Sequence, residues 1–351
     1  MPGVNRRLAC GKGVPGMNGR PVTIAEIAAV AGVSVPTVSK VLNGRKGVSP
    51  HTRSEVERLL SEHGYQRRGR GGQGSGLVDF VISSLDTQWA TALLRGAQNE
   101  AARLGFDLVV TTTHGNPVGA PDWLDHLAER GSDGVVLVVS RLLPAAQAEL
   151  DRLRMPIVLV DPVGAGDQAL TTVAATDWAG ARDATEHLIA LGHTRIAMIT
   201  GPIDLSCHQD RLDGYRSALQ RAGLAYDPAL VRHGDSLVTG GVTHGLDLLG
   251  LPQPPTAIIS GSDEQAYGVY QAARERGLRI PKDLSVVGFD DVELCQWISP
   301  QLTTVHQPLA DMAREATRIV IELSRDPGRP PQHIELASSV IVRESTARAR
   351  R

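Results

Sequence analysis

From Leu77 to the C-terminus, short apolar runs alternate with amphipathic segments, and this alternation limits the fold more than any other feature. LVDFVIS, FDLVVTT, GVVLVV and PIVLV read as buried strands. Helical periodicity lies between them near 87–104, 122–130 and 145–153. A second series runs TTVAA, RIAMITG, TAIIS and LSVVGFDD, with helices near 178–191, 209–222, 242–249, 264–276 and 308–323. Strands that alternate with helices build parallel sheets covered by helices. There are too many strands for one typical open sheet, which implies two similar lobes. A ligand of such an α/β body binds in the cleft facing the carboxyl ends of the strands.

The segment from Val22 to Tyr65 follows different rules and reads as a helix-turn-helix. Thr23 and Glu26 have the spacing of a capping box. Ile24, Ile27 and Ala28 share one face, and Gly32 stands where a tight turn needs positive φ. Val33 plugs the gap between two helices. Ser34 caps the second helix, with Pro36 in its first turn, where a missing N–H costs little. Val38, Val41 and Leu42 form its inner face by i, i+3, i+4 spacing. Val35, Thr37, Ser39 and Lys40 are then left at the exposed edge, where a recognition helix meets the major groove. Ser49-Pro50 opens a third helix, with Val56, Leu59 and Leu60 inward, Arg53 and Arg58 outward, and Gly64 at its end.

Charge supports this division. Residues 1–76 hold 12 Lys and Arg against 4 Asp and Glu, while the rest of the chain holds 24 against 34. A formal net charge of -2 thus conceals a basic head on an acidic body. Such a head neutralises phosphates, and such a body repels DNA beyond the site. Cys10, Cys207 and Cys295 are too few and too scattered for a disulfide frame or a zinc site, and the sequence implies neither metal nor cofactor. No apolar run reaches membrane-span length and the N-terminus lacks an apolar export segment, so a cytoplasmic protein is expected. Residues 1–19 are expected to form a disordered extension, with a basic DNA-contacting arm as the sharper alternative; Met17 is a candidate start.

Four stretches of the head, T-I-A-E-I-A, A-G-V-S, T-V-S-K-V-L-N and V-S-P-H-T-R, resemble the headpiece of the lactose-repressor (LacI/GalR) family of bacterial transcription regulators. HLIALGHTRIAMITGP, RLDGYRSAL, LRIPKDLSVVGFDD and LTTVHQPL resemble that family's effector domain, which is similar to periplasmic sugar-binding proteins. The resemblance implies an α/β chain: a helix-turn-helix headpiece at 20–66, a linker at 67–76 and a two-lobed, Rossmann-like effector and dimerisation domain at 77–351. Three crossings near Ala175, Val305 and Pro331 would divide the last into lobes of about 77–175 with 306–330, and 176–305 with 331–351. The implied partners are double-stranded operator DNA, a second copy of the chain and a sugar or oligosaccharide effector. The implied DNA contacts are Thr23, Ser34, Val35, Pro36, Thr37, Ser39, Lys40 and Asn43. Lys40 sits where relatives use a base-reading basic residue, whereas Val35 and Pro36 replace a polar pair. Val35 can touch a thymine methyl, but Pro36 offers no hydrogen bond.

The linker departs from the family pattern. Relatives carry a short hinge helix with a leucine that wedges into the minor groove. Here Gln66 to Gly76 contains five glycines, with Gly74 at the wedge position. Each glycine costs a helix about 1 kcal/mol relative to alanine. A flexible linker whose Arg67, Arg68 and Arg70 contact phosphates or a narrow minor groove is one reading, and a solvated spacer is the other.

For the effector, the resemblance implies Arg211, whose planar fork suits paired hydroxyls, and Asp290, whose carboxylate accepts hydroxyl hydrogen bonds. Asp263 fits either ligand binding or a helix cap, and Asp291 fits a cap. Ser262 stands where relatives often have a ligand-binding asparagine. Trp89 and Trp178, both at strand-end loops, suit sugar C–H faces, with core packing as the alternative for each. Ser206 and Cys207 fall in the same loop as the cleft residues, while His187, His193 and His306 read as structural. A corepressor-dependent regulator with another effector is the nearest alternative. Further off is a glycosidase using Asp263 and Asp290; no nucleophile elbow, zinc motif or phosphate loop accompanies them.

Overall fold

The computed structural model describes residues 23–42, 47–62, 75–113, 126–127, 129–138, 144–153, 155–162 and 170–350. Residues 1–22, Asn43, the linker arginines Arg67, Arg68 and Arg70, and most of the expected helix at 122–130 lie outside them. The chain divides into two compact units, Met1–Gly72 and Gln73–Arg351.

The first unit contains α1 (Ile24–Ala31), α2 (Val35–Leu42) and α3 (Pro50–Glu62). The Thr23 hydroxyl accepts the Glu26 N–H (3.3 Å), while the Glu26 carboxylate accepts the Thr23 N–H (2.6 Å), completing the capping box. Gly32 ends α1 at φ 64°, a conformation that carries a Cβ penalty for any other residue. Ser34 accepts the Thr37 N–H and Ser49 the Thr52 N–H, so each later helix also begins on a hydroxyl cap. Ile27, Ala28, Val38, Val41, Val56 and Leu59 close one small core between the three helices.

The second unit holds two six-stranded sheets. The first contains β1 (Leu77–Ile82), β2 (Asp107–Thr112), β3 (Gly134–Val138), β4 (Ile157–Val160), β5 (Thr171–Ala175) and β11 (His333–Leu336), in the order β11-β5-β4-β3-β1-β2. The second contains β6 (Ile196–Thr200), β7 (Val231–His233), β8 (Ala257–Ser260), β9 (Ser285–Asp290), β10 (Thr303–His306) and β12 (Ser339–Ile341), in the order β12-β10-β9-β8-β6-β7. Stripped of its last strand, each sheet repeats the other's order. The pairs are parallel throughout, except β10 with β12.

Helices α4 (Gln88–Leu104), α5 (Pro144–Leu153) and α11 (Leu309–Arg325) belong to the first lobe. Helices α6 (Asp177–Ala190), α7 (Ser206–Arg221), α8 (Val238–Leu249), α9 (Asp263–Glu275) and the single-turn α10 (Leu294–Trp297) belong to the second. Apolar clusters fill both faces of each sheet, as parallel strands require. In the first lobe α4 and α11 touch at Gly96, where a Cβ would lie 2.1 Å from the Ala310 carbonyl oxygen.

The chain passes between lobes after Ala175, between His306 and Leu309, and after Leu336. The third passage differs from the expected one near Pro331. His333 to Leu336 pairs in parallel with Thr172 to Ala175 of the first lobe before β12 joins the second. The four-residue β11 is half exposed and has no long apolar run to mark it. Strands β7, β10 and β12 are similarly short, and periodicity did not single them out.

Candidate ligand cleft and nucleic-acid interface

A cavity of about 410 Å³ lies between the lobes of the second unit. Much of its lining comes from the carboxyl ends of six strands: Ser83 and Asp86 after β1, Asp161 after β4, Pro202 and Leu205 after β6, Asp235 and Ser236 after β7, Gly261 and Ser262 after β8, and Asp290 at the end of β9. Strand direction thus places polar side chains from both lobes around one space. Backbone strain collects in the same place. Among the described residues, the non-glycine positions with positive φ are Asp161 (47°), Ser236 (64°), Asp290 (109°) and Asp291 (60°). Three of these line the cavity. Sparsely populated backbone conformations of this kind concentrate at functional sites.

Arg211 is the cation at the cavity floor. It stands on α7 and is 4% exposed. Its Nε donates to Asp177 Oδ1 (2.7 Å) and its Nη1 to the Gly261 carbonyl (2.6 Å). Its guanidinium stacks 3.8 Å from the Phe289 ring centroid. Asp290 comes within 3.9 Å of Nη2, outside hydrogen-bond range, and its Oδ1 is buried without a partner. Asp161 Oδ1 is likewise buried and unpartnered. Burial pushes the Asp161 carboxyl up to about 7, reinforced by Asp177 and opposed by Arg211. Burial also raises Asp290 well above the ordinary carboxylate range.

Neighbouring groups are held by internal bonds. His208 is kept neutral by burial and by the Arg211 charge. Its Nδ1 accepts the Gly201 N–H, which leaves the proton on Nε2, facing the Ser236 hydroxyl (3.2 Å). Cys207 lines the cavity, and burial pushes its thiol up, so it presents a neutral S–H and no nucleophile. Ser262 caps α9 through the Gln265 N–H (3.1 Å) and donates to the Ser236 carbonyl (2.7 Å). Trp89, near the start of α4, lines the cavity from the first lobe.

Three expected cleft residues stand elsewhere. Asp263 is buried outside the lining and accepts the Val292 N–H (2.9 Å) and the Thr304 hydroxyl (2.5 Å), so it pins the loop after β9. Trp178 follows Asp177 on α6, about 100° further round the helix; it is 39% exposed, lies against the Arg182 guanidinium and does not line the cavity. Ser206 begins α7, and its hydroxyl reaches the Pro162 carbonyl of the other lobe (3.4 Å) instead of the cavity. Asp291 caps no helix. It is held by Arg343 (2.6 Å) and His306 (3.0 Å). His193 bridges Thr256, Ser285 and the Ala347 carbonyl, and is structural.

Sequence reasoning missed Asp161, His208, Ser236 and Glu264. A signal existed for Asp161, a carboxylate directly after the apolar run PIVLV, but nothing local marks the other three. Among the described residues no group of His, Cys, Asp and Glu is placed to hold a metal ion. No single described helix is long and apolar enough to cross a membrane.

In the first unit Val35, Pro36 and Lys40 are exposed on α2, and Thr37 and Ser39 are half-buried. The hydroxyls of Thr23 and Ser34 are engaged in capping. Ser34, Val35, Pro36 and Thr37 stand at the N-terminal end of α2, the end a recognition helix presents to the major groove, and Lys40 is exposed in its last turn.

The headpiece residues 23–68 match the model for bacterial regulatory proteins of the lacI family, and residues 185–346 match a periplasmic binding protein-like domain. The ribose operon repressor of Escherichia coli (strain K12) is 32% identical over 330 residues, covering 92% of this chain and 99% of that protein. The transcriptional repressor CytR of the same organism is 32% identical over 333 residues, covering 92% and 96%. The solved complex of the transcriptional regulator CelR with cellobiose superposes with a TM-score of 0.72 at 33% identity, covering 93% of this chain and 100% of that one. The lac repressor dimer bound to operator and the anti-inducer ONPF gives 0.70 at 28% identity, covering 93% and 100%. Headpiece, duplicated α/β lobes and end-to-end similarity to known repressors agree, and the chain belongs to the LacI family of bacterial regulatory proteins.

Proposed function

We propose that this chain is a sequence-specific transcriptional repressor of carbohydrate-use genes, released from its operator by a sugar or oligosaccharide. It acts in the cytoplasm, at the nucleoid, as a homodimer that sets two copies of α2 on an approximately palindromic site. Lys40 and Val35 read bases, and the capped N-termini of α2 and α3 with nearby hydroxyls meet phosphates. Arg67, Arg68 and Arg70 add phosphate contacts.

The observation that carries the effector reading is the pair of buried, unpartnered carboxylate oxygens of Asp161 and Asp290, one from each lobe, beside Arg211. Buried polar groups without partners are rare, and these two are complementary to hydroxyl donors. A ligand that satisfies both joins the lobes. Trp89 supplies an apolar face at the same cavity, and the volume of about 410 Å³ suits a sugar of one or two rings with water. The names of relatives point the same way, to a ribose operon and to bound cellobiose.

Purified protein should retard DNA from upstream of its own gene, and one member of a sugar panel should reverse this without being consumed. Turnover of a sugar, or retardation indifferent to every sugar that binds, would contradict the proposal.

A further inference from the structure

We propose that the cleft selects effectors without negative charge, and rejects the phosphorylated and carboxylated forms of the sugar it accepts. This rests on the sugar-effector reading above and narrows it to a class of ligand.

Charge balance in the cavity is the first observation. Its described lining holds five carboxylates, Asp86, Asp161, Asp235, Glu264 and Asp290, against one cation, Arg211. Two nitrogens of that cation are already engaged, Nε on Asp177 and Nη1 on the Gly261 carbonyl. Asp177 is itself 5% exposed, so its charge offsets that of Arg211 at close range, and no second guanidinium or ammonium stands among the described lining residues to receive a phosphate.

The second observation concerns the hydrogen bonding of two of those carboxylates. Asp161 and Asp290 are 6% and 5% exposed, and each leaves a buried oxygen without a hydrogen-bond partner at the cavity wall. Above about pH 7 the Asp161 carboxylate is ionised and only accepts. A hydroxyl satisfies it, whereas a phosphate oxygen placed there brings a second negative charge into low dielectric, where repulsion is strong. The remaining lining offers hydroxyls at Ser83, Ser84 and Ser236 and the His208 ring, which are neutral. The requirement is therefore a donor-rich, uncharged ligand, and discrimination is achieved by repulsion as much as by attraction.

The test compares matched pairs on the full-length protein at pH 8, above the value of about 7 to which burial pushes Asp161. Ribose with ribose 5-phosphate, glucose with glucose 6-phosphate and gluconate, and cellobiose with cellobiose 6-phosphate are titrated by calorimetry and thermal shift. The expected result is that a neutral member binds and its anionic partner binds at least about 100-fold more weakly. The Asp161→Asn variant, whose folding is checked by its melting transition, should narrow that gap by about tenfold. An anionic member that binds as tightly as its parent, or an Asp161→Asn variant with an unchanged gap, overturns the charge selection while leaving the sugar reading intact. Failure of every neutral and anionic sugar to bind overturns the sugar reading and this inference with it.

Discussion

The backbone N–H of Gln88, first residue of α4 in one lobe, donates to the Glu264 carboxylate of the other lobe across 2.8 Å. The Gln88 side chain accepts the Leu294 N–H of that same lobe (2.9 Å). One residue at a helix N-terminus therefore bridges the lobes twice, at the rim of the cavity. The carboxylate lies where the α4 dipole favours negative charge. Partial burial works against this and raises the Glu264 pKa.

Glu264→Ala should loosen the closed cleft and weaken effector binding about fivefold to tenfold, the range for a lost charge-assisted hydrogen bond at a half-buried site. Arg95→Ala breaks another link between the lobes, Arg95 to Glu293, but both partners are more than half exposed. Its effect should stay under about 1 kcal/mol and fade with salt. Calorimetric titration of both variants at two salt concentrations checks the contrast.

Arg211 and Asp177 form a buried pair in which each side chain is 5% exposed. Arg211→Leu strands the Asp177 carboxylate and should cost about 3–5 kcal/mol of unfolding free energy. Adding Asp177→Asn should restore a good part of that stability but not effector binding. Urea denaturation separates the two effects: equal stability of the single and double variants would show that the pair is not coupled.

Asp161 gives a pH signature of unusual sign. Its folded-state pKa is raised to about 7, chiefly by burial, from an ordinary value of 3.8. Over that window the folded state holds more protons than the unfolded one, so this group makes stability fall as pH rises from about 4 to 7. Asp161→Asn should be near neutral below pH 4 and stabilise the unliganded protein above pH 7 by at least about 1 kcal/mol. Melting temperatures across pH 4 to 8 test this, and a stabilisation that does not grow with pH would contradict it.

The legibility of the chain followed the range of the forces involved. Capping at Thr23 and Ser34 and the turn at Gly32 are local, and their residues announce them. Buried strands such as LVDFVI and IAMIT carry enough apolar length to stand out. The short edge strand β11 does not, because it exists only by pairing with β5. In the cleft, Arg211 and Asp290 were legible through family resemblance, which left Asp263 open between ligand binding and a helix cap. Its role is set by Thr304 and Val292, which reach its carboxylate. Trp178 misled for a similar reason: its position after a strand is right, but its angle on α6 faces it outward. The positive φ of Asp161 and Ser236 has no local sequence signature at all.

In the headpiece, Lys40→Ala should weaken operator binding by about 1–3 kcal/mol and relax preference at one base position if it reads a base. If it meets only phosphate, binding falls uniformly and the salt slope drops by about one. Thr23→Ala removes the capping box and should cost the isolated unit about 1 kcal/mol. Anisotropy titrations with single-base operator variants distinguish base reading from phosphate contact.

The most direct measurement is operator affinity, by fluorescence anisotropy, with the cleft empty and then saturated by the sugar that binds it, in the native chain and in Asp290→Ala. The expected result is a loss of about tenfold or more in operator affinity for the native chain, within the usual range of coupling free energies. Asp290→Ala should hold the operator normally and ignore the sugar. An operator affinity that stays the same while the native cleft is demonstrably filled would contradict a ligand-controlled repressor.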